Sequence, residues 1–362
     1  MLGFLRRWFK RRVRAGLSQM PQLPDMPAQP GQPGQPTAAM LSRPLGPSRF
    51  LVAKFKSSHA PALFRRSPPL ELGYRLYLPS GSSRRDGLPL IVMLHGCKQD
   101  PVIFAGGTRM NAIAEEVRCA VLYPEQDERA NPLRCWNWFE AASIAGQGEA
   151  ALLARLIEHV AKRRPIDPRR VFLVGMSAGG AMASVLAARH GRLFAACAIH
   201  SGVMYGVAST AIQALGVMRS GSSAASIAKA RRLMQEGIES NVAVPTLVVH
   251  GDQDKIVNPL NADQLVEQLK ERAVFIDPAA GPLIATTERR IAGPGHAYRL
   301  HDYTQDGRTV LRKLIVEGLG HAWSGGDGRY EFNDDAGPDA SRLILDFVMQ
   351  YRREVPEIAR VG

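Results

Sequence analysis

The chain of 362 residues reads as an α/β protein, with a mostly parallel central sheet, helices on both of its faces and room for a small cap. Three observations predict this. Apolar strand-like runs recur from about residue 70 to residue 320, each closed by a glycine, a proline or a polar residue. Helical patterns separate them, the alternation that builds parallel sheets through crossover helices. The residues best suited to chemistry stand directly after strand runs, where parallel sheets build their sites.

The N-terminal part is a different material. Residues 1–66 hold twelve Lys/Arg and a single acid, Asp25, so they carry +11 of the total +13. The basic character therefore belongs to a tail, and its few aromatics argue against specific nucleic-acid binding. Residues 1–20 mix Leu2, Leu5, Trp8 and Phe9 with six Lys/Arg, a pattern read either as a helix lying on an anionic membrane or polymer surface or as a solvated tail. Their apolar content is too broken for a secretory core, so the expectation is a cytoplasmic protein, with export as the alternative. Proline recurs at 21, 24, 27, 30, 33 and 36, the period of a polyproline II spacer. The domain boundary is expected between residues 50 and 70, giving a tail and linker over 1–66 and a folded domain over 67–362.

Within that domain, LPLIVMLHG, CAVLYP, VFLVGMS, FAACAIHSG, PTLVVHG and VLRKLIVEG read as strands. Ala151, Leu152, Leu156, Ile157 and Val160 fall at helical spacing, and that helix must stop before Pro165. Leu343, Ile344, Phe347, Val348 and Tyr351 mark a final helix. Residues 203–242 break the rhythm with Met204, Met218, Met234 and a Gly/Ser/Ala-rich stretch, consistent with a cap or with a crossover helix and a long loop. No run approaches the apolar length of a membrane-spanning helix.

The strand VFLV runs into Gly175-Met176-Ser177-Ala178-Gly179-Gly180, and AMASVLAARH follows as a helix. This is G-x-S-x-G at a strand-to-helix turn, where small neighbours hold a serine hydroxyl clear of the backbone. A serine hydroxyl needs a base to take its proton and a carboxylate to fix the tautomer of that base. In the α/β-hydrolase fold the partners follow in the order serine, acid, histidine. His321 alone among nine histidines combines that order with a loop after a strand and a flanking glycine. His95 and His250, at strand ends, read as loop braces. Asp254 is preferred to Asp252 as the acid because the turn completes before its carboxylate projects. The oxyanion requires two preorganised N–H donors, assigned to the backbone of Ala178 and of Cys97. A Cys97 thiolate nucleophile is the weaker alternative, since no base is indicated for it.

Four cysteines are too few for a disulfide scaffold, and no CxxC pair suggests a metal. Cys119 and Cys197 read as buried thiols in apolar runs. Cys97 and Cys135 both fall in motifs near the expected site, which leaves a disulfide or two free thiols open.

Together HGCKQ (95–99), CWNWF (135–139), GMSAGGAM (175–182), HSG (200–202), HGDQDKIV (250–257) and GLGHAWSGG (318–326) resemble the polyhydroxybutyrate depolymerase family of esterases, related to feruloyl and acetylxylan esterases. The likeness covers roughly residues 70–350. It implies an α/β-hydrolase fold and cofactor-free ester hydrolysis by Ser177, Asp254 and His321, on hydroxyalkanoate oligomers or short-chain esters. It also implies that Gln99, Trp138 and Trp323 contact substrate, although a core role for either tryptophan stays open. Ser324 departs from the proline expected after the tryptophan. A carbohydrate esterase is the alternative within enzymes. A catalytically silent protein tethered to a surface by the basic tail is the alternative outside them.

Overall fold

The computed structural model describes residues 47–57, 71–83, 85–236, 242–291 and 295–354. The basic stretch 1–20 and the proline spacer 21–36 lie outside the described residues. The strands are β1 (Arg49–Lys56), β2 (Glu71–Leu78), β3 (Leu88–Leu94), β4 (Ala120–Glu125), β5 (Ile166–Met176), β6 (Ala196–His200), β7 (Thr246–Gly251), β8 (Ile284–Ile291), β9 (Ala297–Gln305), β10 (Arg308–Val316), β11 (Trp323–Ser324) and β12 (Asn333–Asp334). The α-helices are α1 (Pro101–Thr108), α2 (Met110–Glu116), α3 (Ala141–Ile144), α4 (Gly148–Arg163), α5 (Ala178–Arg189), α6 (Ala211–Ser220), α7 (Ala224–Glu236), α8 (Leu260–Ile276) and α9 (Ala340–Val348).

Ten strands form one sheet in the order β1-β2-β4-β3-β5-β6-β7-β10-β9-β8. Its middle, from β4 to β10, is parallel throughout. Both margins are antiparallel. The six runs expected as strands are β3, β4, β5, β6, β7 and β10, and the arrangement is the α/β-hydrolase fold. The side-chain period of two divides β3 between two cores. Leu90, Val92 and Leu94 face α4 and α5, whereas Ile91 and Met93 face α1, α2 and α9. Each such side chain contributes roughly 1.5–3 kcal/mol by leaving water, which is why a strand buried on both faces reads as a continuous apolar run.

Helix α4 buries Leu152, Leu153, Leu156, Ile157 and Val160 on one stripe and ends at Arg163, two residues before Pro165. Helix α5 is buried all round from Ala178 to Ala188, and its small residues let it lie close against the sheet behind Ser177. Helix α1 begins at Asp100, whose carboxylate accepts from Val102 N–H and Ile103 N–H at 2.8 and 2.9 Å, with Pro101 as its first residue. This cap fixes the end of the loop that starts at His95. Residues 203–236 carry α6 and α7 in the connection between the neighbouring parallel strands β6 and β7, so the break in rhythm is a crossover built of two helices.

Two parts of the sheet differ from the sequence expectation. The sheet begins upstream of residue 67: β1 lies inside the stretch assigned to the linker and pairs antiparallel with the whole of β2. Its RFLVAKFK alternates, with Leu51, Ala53 and Phe55 turned toward the core and Val52, Lys54 and Lys56 outward. High charge masked that alternation. The β8–β9 hairpin was also missed, because most of β8 is exposed and polar, as a sheet margin allows.

Phe55 is nearly buried and rests its ring 5.2 Å from that of His159 on α4. If β1 is an integral strand, Phe55→Ala will lower stability by about 3 kcal/mol in urea unfolding. A change within 0.5 kcal/mol, typical of an exposed position, would return this segment to the linker.

Candidate active site

Strand β5 delivers Ser177 into a turn with φ +56° and ψ −120°, a left-handed conformation that a residue with a side chain rarely adopts. Its neighbours show why the turn needs glycine. A Cβ on Gly175 would stand 2.1 Å from the carbonyl oxygen of Gly179, and one on Gly179 would stand 2.0 Å from that of Leu94. The Ser177 N–H donates to the His200 carbonyl at 2.9 Å, tying the turn to the end of β6. The side chain is thereby lifted to the C-terminal edge of the sheet.

Three loops from that edge converge there. His321 Nε2 lies 3.0 Å from Ser177 Oγ, and His321 Nδ1 lies 2.7 Å from Asp254 Oδ2. A carboxylate only accepts, so Nδ1 carries the proton and Nε2 is left to accept from the serine hydroxyl. Asp254 is 4% exposed, and its second oxygen accepts from Ile256 N–H and Val257 N–H at 2.9 and 2.8 Å. Burial alone would raise its pKa. The hydrogen bonds from His321 and the Val257 N–H outweigh that and hold the carboxyl below its ordinary range. Asp252 points elsewhere: its carboxylate accepts from Gly318 N–H at 2.7 Å and steadies the loop that carries His321.

The N–H groups of Cys97 and Ala178 donate to no acceptor among the described residues. The loop bearing Cys97 is pressed against Ser177, since a Cβ on Gly96 would stand 3.4 Å from Ser177 Cβ. Two orphan donors beside a serine hydroxyl are suited to a developing oxyanion.

A buried polar network holds that loop. His95 Nδ1–H donates to the Gly96 carbonyl at 2.8 Å, and its Nε2 accepts from Gln126 N–H at 3.2 Å. Burial lowers the His95 pKa to about 4, so the ring stays neutral, as this pairing requires. Trp136 Nε1–H donates to the His95 carbonyl at 3.0 Å. Glu149 accepts from Gln126 Nε2 and Asn137 N–H, both at 2.6 Å. A Cys97–Cys135 disulfide joins the loop to the same segment, whereas Cys119 and Cys197 are free and buried.

The three residues expected to contact substrate are placed differently. Trp323 is 1% exposed, stacks on His200 with centroids 5.0 Å apart and donates its indole N–H to Ser341 Oγ. Trp138 is 4% exposed and packs in the core on the α4 side. Both are core residues, where burial takes their large apolar surfaces out of water. Gln99 is also buried; its Oε1 accepts from Gly96 N–H at 2.8 Å and so braces the loop that starts at His95, while its Nε2 has no partner among the described residues. Ser324 earns its departure from proline by donating to the Pro338 carbonyl at 2.7 Å. Sequence reading passed over Trp136, Gln126 and Glu149. The CWNWF motif carried a signal for the first, but only contacts decide which indole reaches the loop.

The profile of the family described as Esterase PHB depolymerase matches residues 72–293. Poly(3-hydroxyalkanoate) depolymerase C of Paucimonas lemoignei is 31% identical over 198 residues, 53% of this chain and 46% of that protein, so this chain spans about half its length. Feruloyl esterase B of Thermothelomyces thermophilus is 24% identical over 261 residues, 70% of this chain and 84% of that protein. Among solved structures, the acetyl xylan esterase from Aspergillus awamori superposes with a TM-score of 0.58 at 19% identity, over 75% of this chain and 94% of that one, a likeness of fold.

Two outcomes test the geometry. Gly179→Ala will push the turn off the Leu94 carbonyl and reduce kcat for any ester that is turned over by about 100-fold, with wild-type rates refuting the steric reading. Burial raises the Glu149 pKa to about 7. The folded state then holds this proton more tightly than the unfolded chain, so the site's contribution to stability is greatest at low pH. It is lost as pH rises from about 4.5 towards about 7, by on the order of 3 kcal/mol. Urea unfolding of Glu149→Gln against wild type across that window will show the variant gaining relative stability with pH, and parallel curves would contradict it.

Proposed function

This chain belongs to the esterase PHB depolymerase family, and on that premise we propose that it is a serine esterase acting through an acyl-enzyme on Ser177. The observation that supports this most directly is the unbroken hydrogen-bonded line from Asp254 through His321 to the Ser177 hydroxyl, beside two unpaired backbone N–H groups. In this reading Ser177 Oγ attacks the ester carbonyl carbon while its proton passes to His321 Nε2. The carbonyl oxygen becomes an oxyanion held by the N–H groups of Cys97 and Ala178, each worth about 3 kcal/mol at the transition state. The tetrahedral species collapses as His321 returns the proton to the leaving alkoxide. Water, deprotonated by the same imidazole, then attacks the acyl-serine, releases the carboxylic acid and restores the hydroxyl. Asp254 remains ionised and keeps the imidazole in the working tautomer.

For substrate we propose short-chain esters of hydroxy acids, among them hydroxyalkanoate oligomers, in keeping with the depolymerase named among its relatives. A carbohydrate-linked ester is the second reading, favoured by the match to most of the length of a feruloyl esterase.

Assaying hydroxybutyrate oligomers, feruloyl and acetyl sugars and p-nitrophenyl esters with wild type and Ser177→Ala will separate these readings. Wild type is expected to turn over oligomers best and Ser177→Ala none of them, and Asp254→Asn is expected to lose about 10⁴-fold in kcat. Turnover surviving in Ser177→Ala would sink the mechanism, and preference for the sugar esters would select the second reading.

A further inference from the structure

One residue beside His321 takes no part in the hydrogen-bonded line, yet the fold holds it there against its backbone preference. Phe332 has φ +62°, a left-handed conformation that is an outlier for a bulky aromatic residue. Its ring meets the His321 imidazole edge to face, with centroids 6.2 Å apart and planes inclined at 79°. It is half-buried, packed against the core on one side and open on the other.

The surrounding chain is built to keep it in place. The Phe332 carbonyl accepts from Trp323 N–H at 2.8 Å, and the next residue begins β12, which pairs with β11 two residues beyond His321. Asn333 is wedged between two glycines: a Cβ on Gly107 would stand 2.4 Å from its Nδ2, and one on Gly326 would stand 2.4 Å from its Oδ1. Asp327 N–H donates to the Gly107 carbonyl at 2.7 Å, clamping the same loop to α1. A strained backbone held by this many restraints beside reacting groups is the circumstance in which strain serves a site.

Resting on the esterase reading above, we infer that Phe332 forms the alcohol-side wall of the site and sets which leaving alcohols are accepted. The orientation of the ester follows from the donors. Its carbonyl oxygen must face Cys97 and Ala178, and its leaving oxygen must lie against His321 Nε2, which returns the proton. An aromatic ring packed against His321, with an open side, borders the space of the departing alcohol. Apolar alcohols would gain contact with that ring, and the ring keeps water from the imidazole during acylation.

The test exploits the fact that the alcohol is absent from the second half-reaction. Butyrate esters of methanol, butanol, benzyl alcohol and p-nitrophenol, and a series of p-nitrophenyl esters of increasing acyl length, are followed with wild type, Phe332→Gly and Phe332→Leu. Phe332→Gly is expected to lower kcat/KM for the benzyl and butyl esters about tenfold relative to the methyl ester. The order of preference along the acyl series and the deacylation rate after the p-nitrophenol burst should stay within about twofold of wild type. Relief of the left-handed strain offsets only part of the packing lost with the ring, so its thermal midpoint is expected to fall by a few degrees at most. Phe332→Leu, which retains an apolar wall, should recover part of the alcohol preference, and it carries the test if the glycine variant does not fold. An unchanged alcohol series overturns the inference. So does an equal fall for every alcohol with slowed deacylation, which would mean that the ring only steadies His321. A wild type without Ser177-dependent turnover would overturn the esterase reading itself, a result distinct from either.

Discussion

The turn at Ser177 leaves no space for a side chain two residues to either side of the serine. Gly179 lies against the carbonyl of Leu94 at the end of β3, and Gly175 lies against the carbonyl of Gly179. This contact brings the start of α5 and the loop after β3 onto one spot. Neighbouring parallel strands end at the same edge, so a hydroxyl raised there meets whatever the adjacent loops carry. The unpaired N–H groups of Cys97 and Ala178 are direct products of that closeness.

What the turn brings together, a layer of buried polar groups keeps from moving. His95 is neutral by burial and so can donate to Gly96 and accept from Gln126 at once. Glu149, sunk at the N-terminus of α4, gathers Gln126 and Asn137, and the Cys97–Cys135 bond ties the loop to the same segment covalently. Polar groups in so apolar a setting are costly unless paired, and pairing makes them rigid. Rigidity matters because oxyanion donors act only if they are already aimed. The same logic holds on the other side of Ser177, where Asp252 pins the loop of His321 and Asp254 is held by two backbone N–H groups.

The proposed chemistry thus occupies a narrow strip of the sheet edge, with the oxyanion donors on one flank and His321 and Phe332 on the other. The large tryptophans near the strip serve it from behind. Trp136 anchors the His95 carbonyl, and Trp323 stacks under His200, whose own carbonyl receives the Ser177 N–H. With Trp138 and Trp323 in the core, the half-exposed ring of Phe332, rather than a buried indole, is the aromatic surface left beside His321.

Much of this was legible in the chain alone. Runs such as LPLIVML announce strands buried on both faces, because an apolar residue at every position has no other use in a soluble sheet. Gly-Met-Ser-Ala-Gly between a strand and a helix announces the turn, since its steric demands are local. The order of Ser177, Asp254 and His321 follows from the topology that such strands impose. Marginal elements were harder: β1 and the β8–β9 hairpin are charged and exposed, and their pairing depends on a partner strand. Which indole meets a carbonyl, whether Gln99 faces substrate or Gly96, and where Phe332 lies depend on distances between residues remote in sequence. Local pattern determined the strands and the turn that raises Ser177; tertiary packing decided every contact between loops, because hydrogen bonds and burial act through space rather than along the chain.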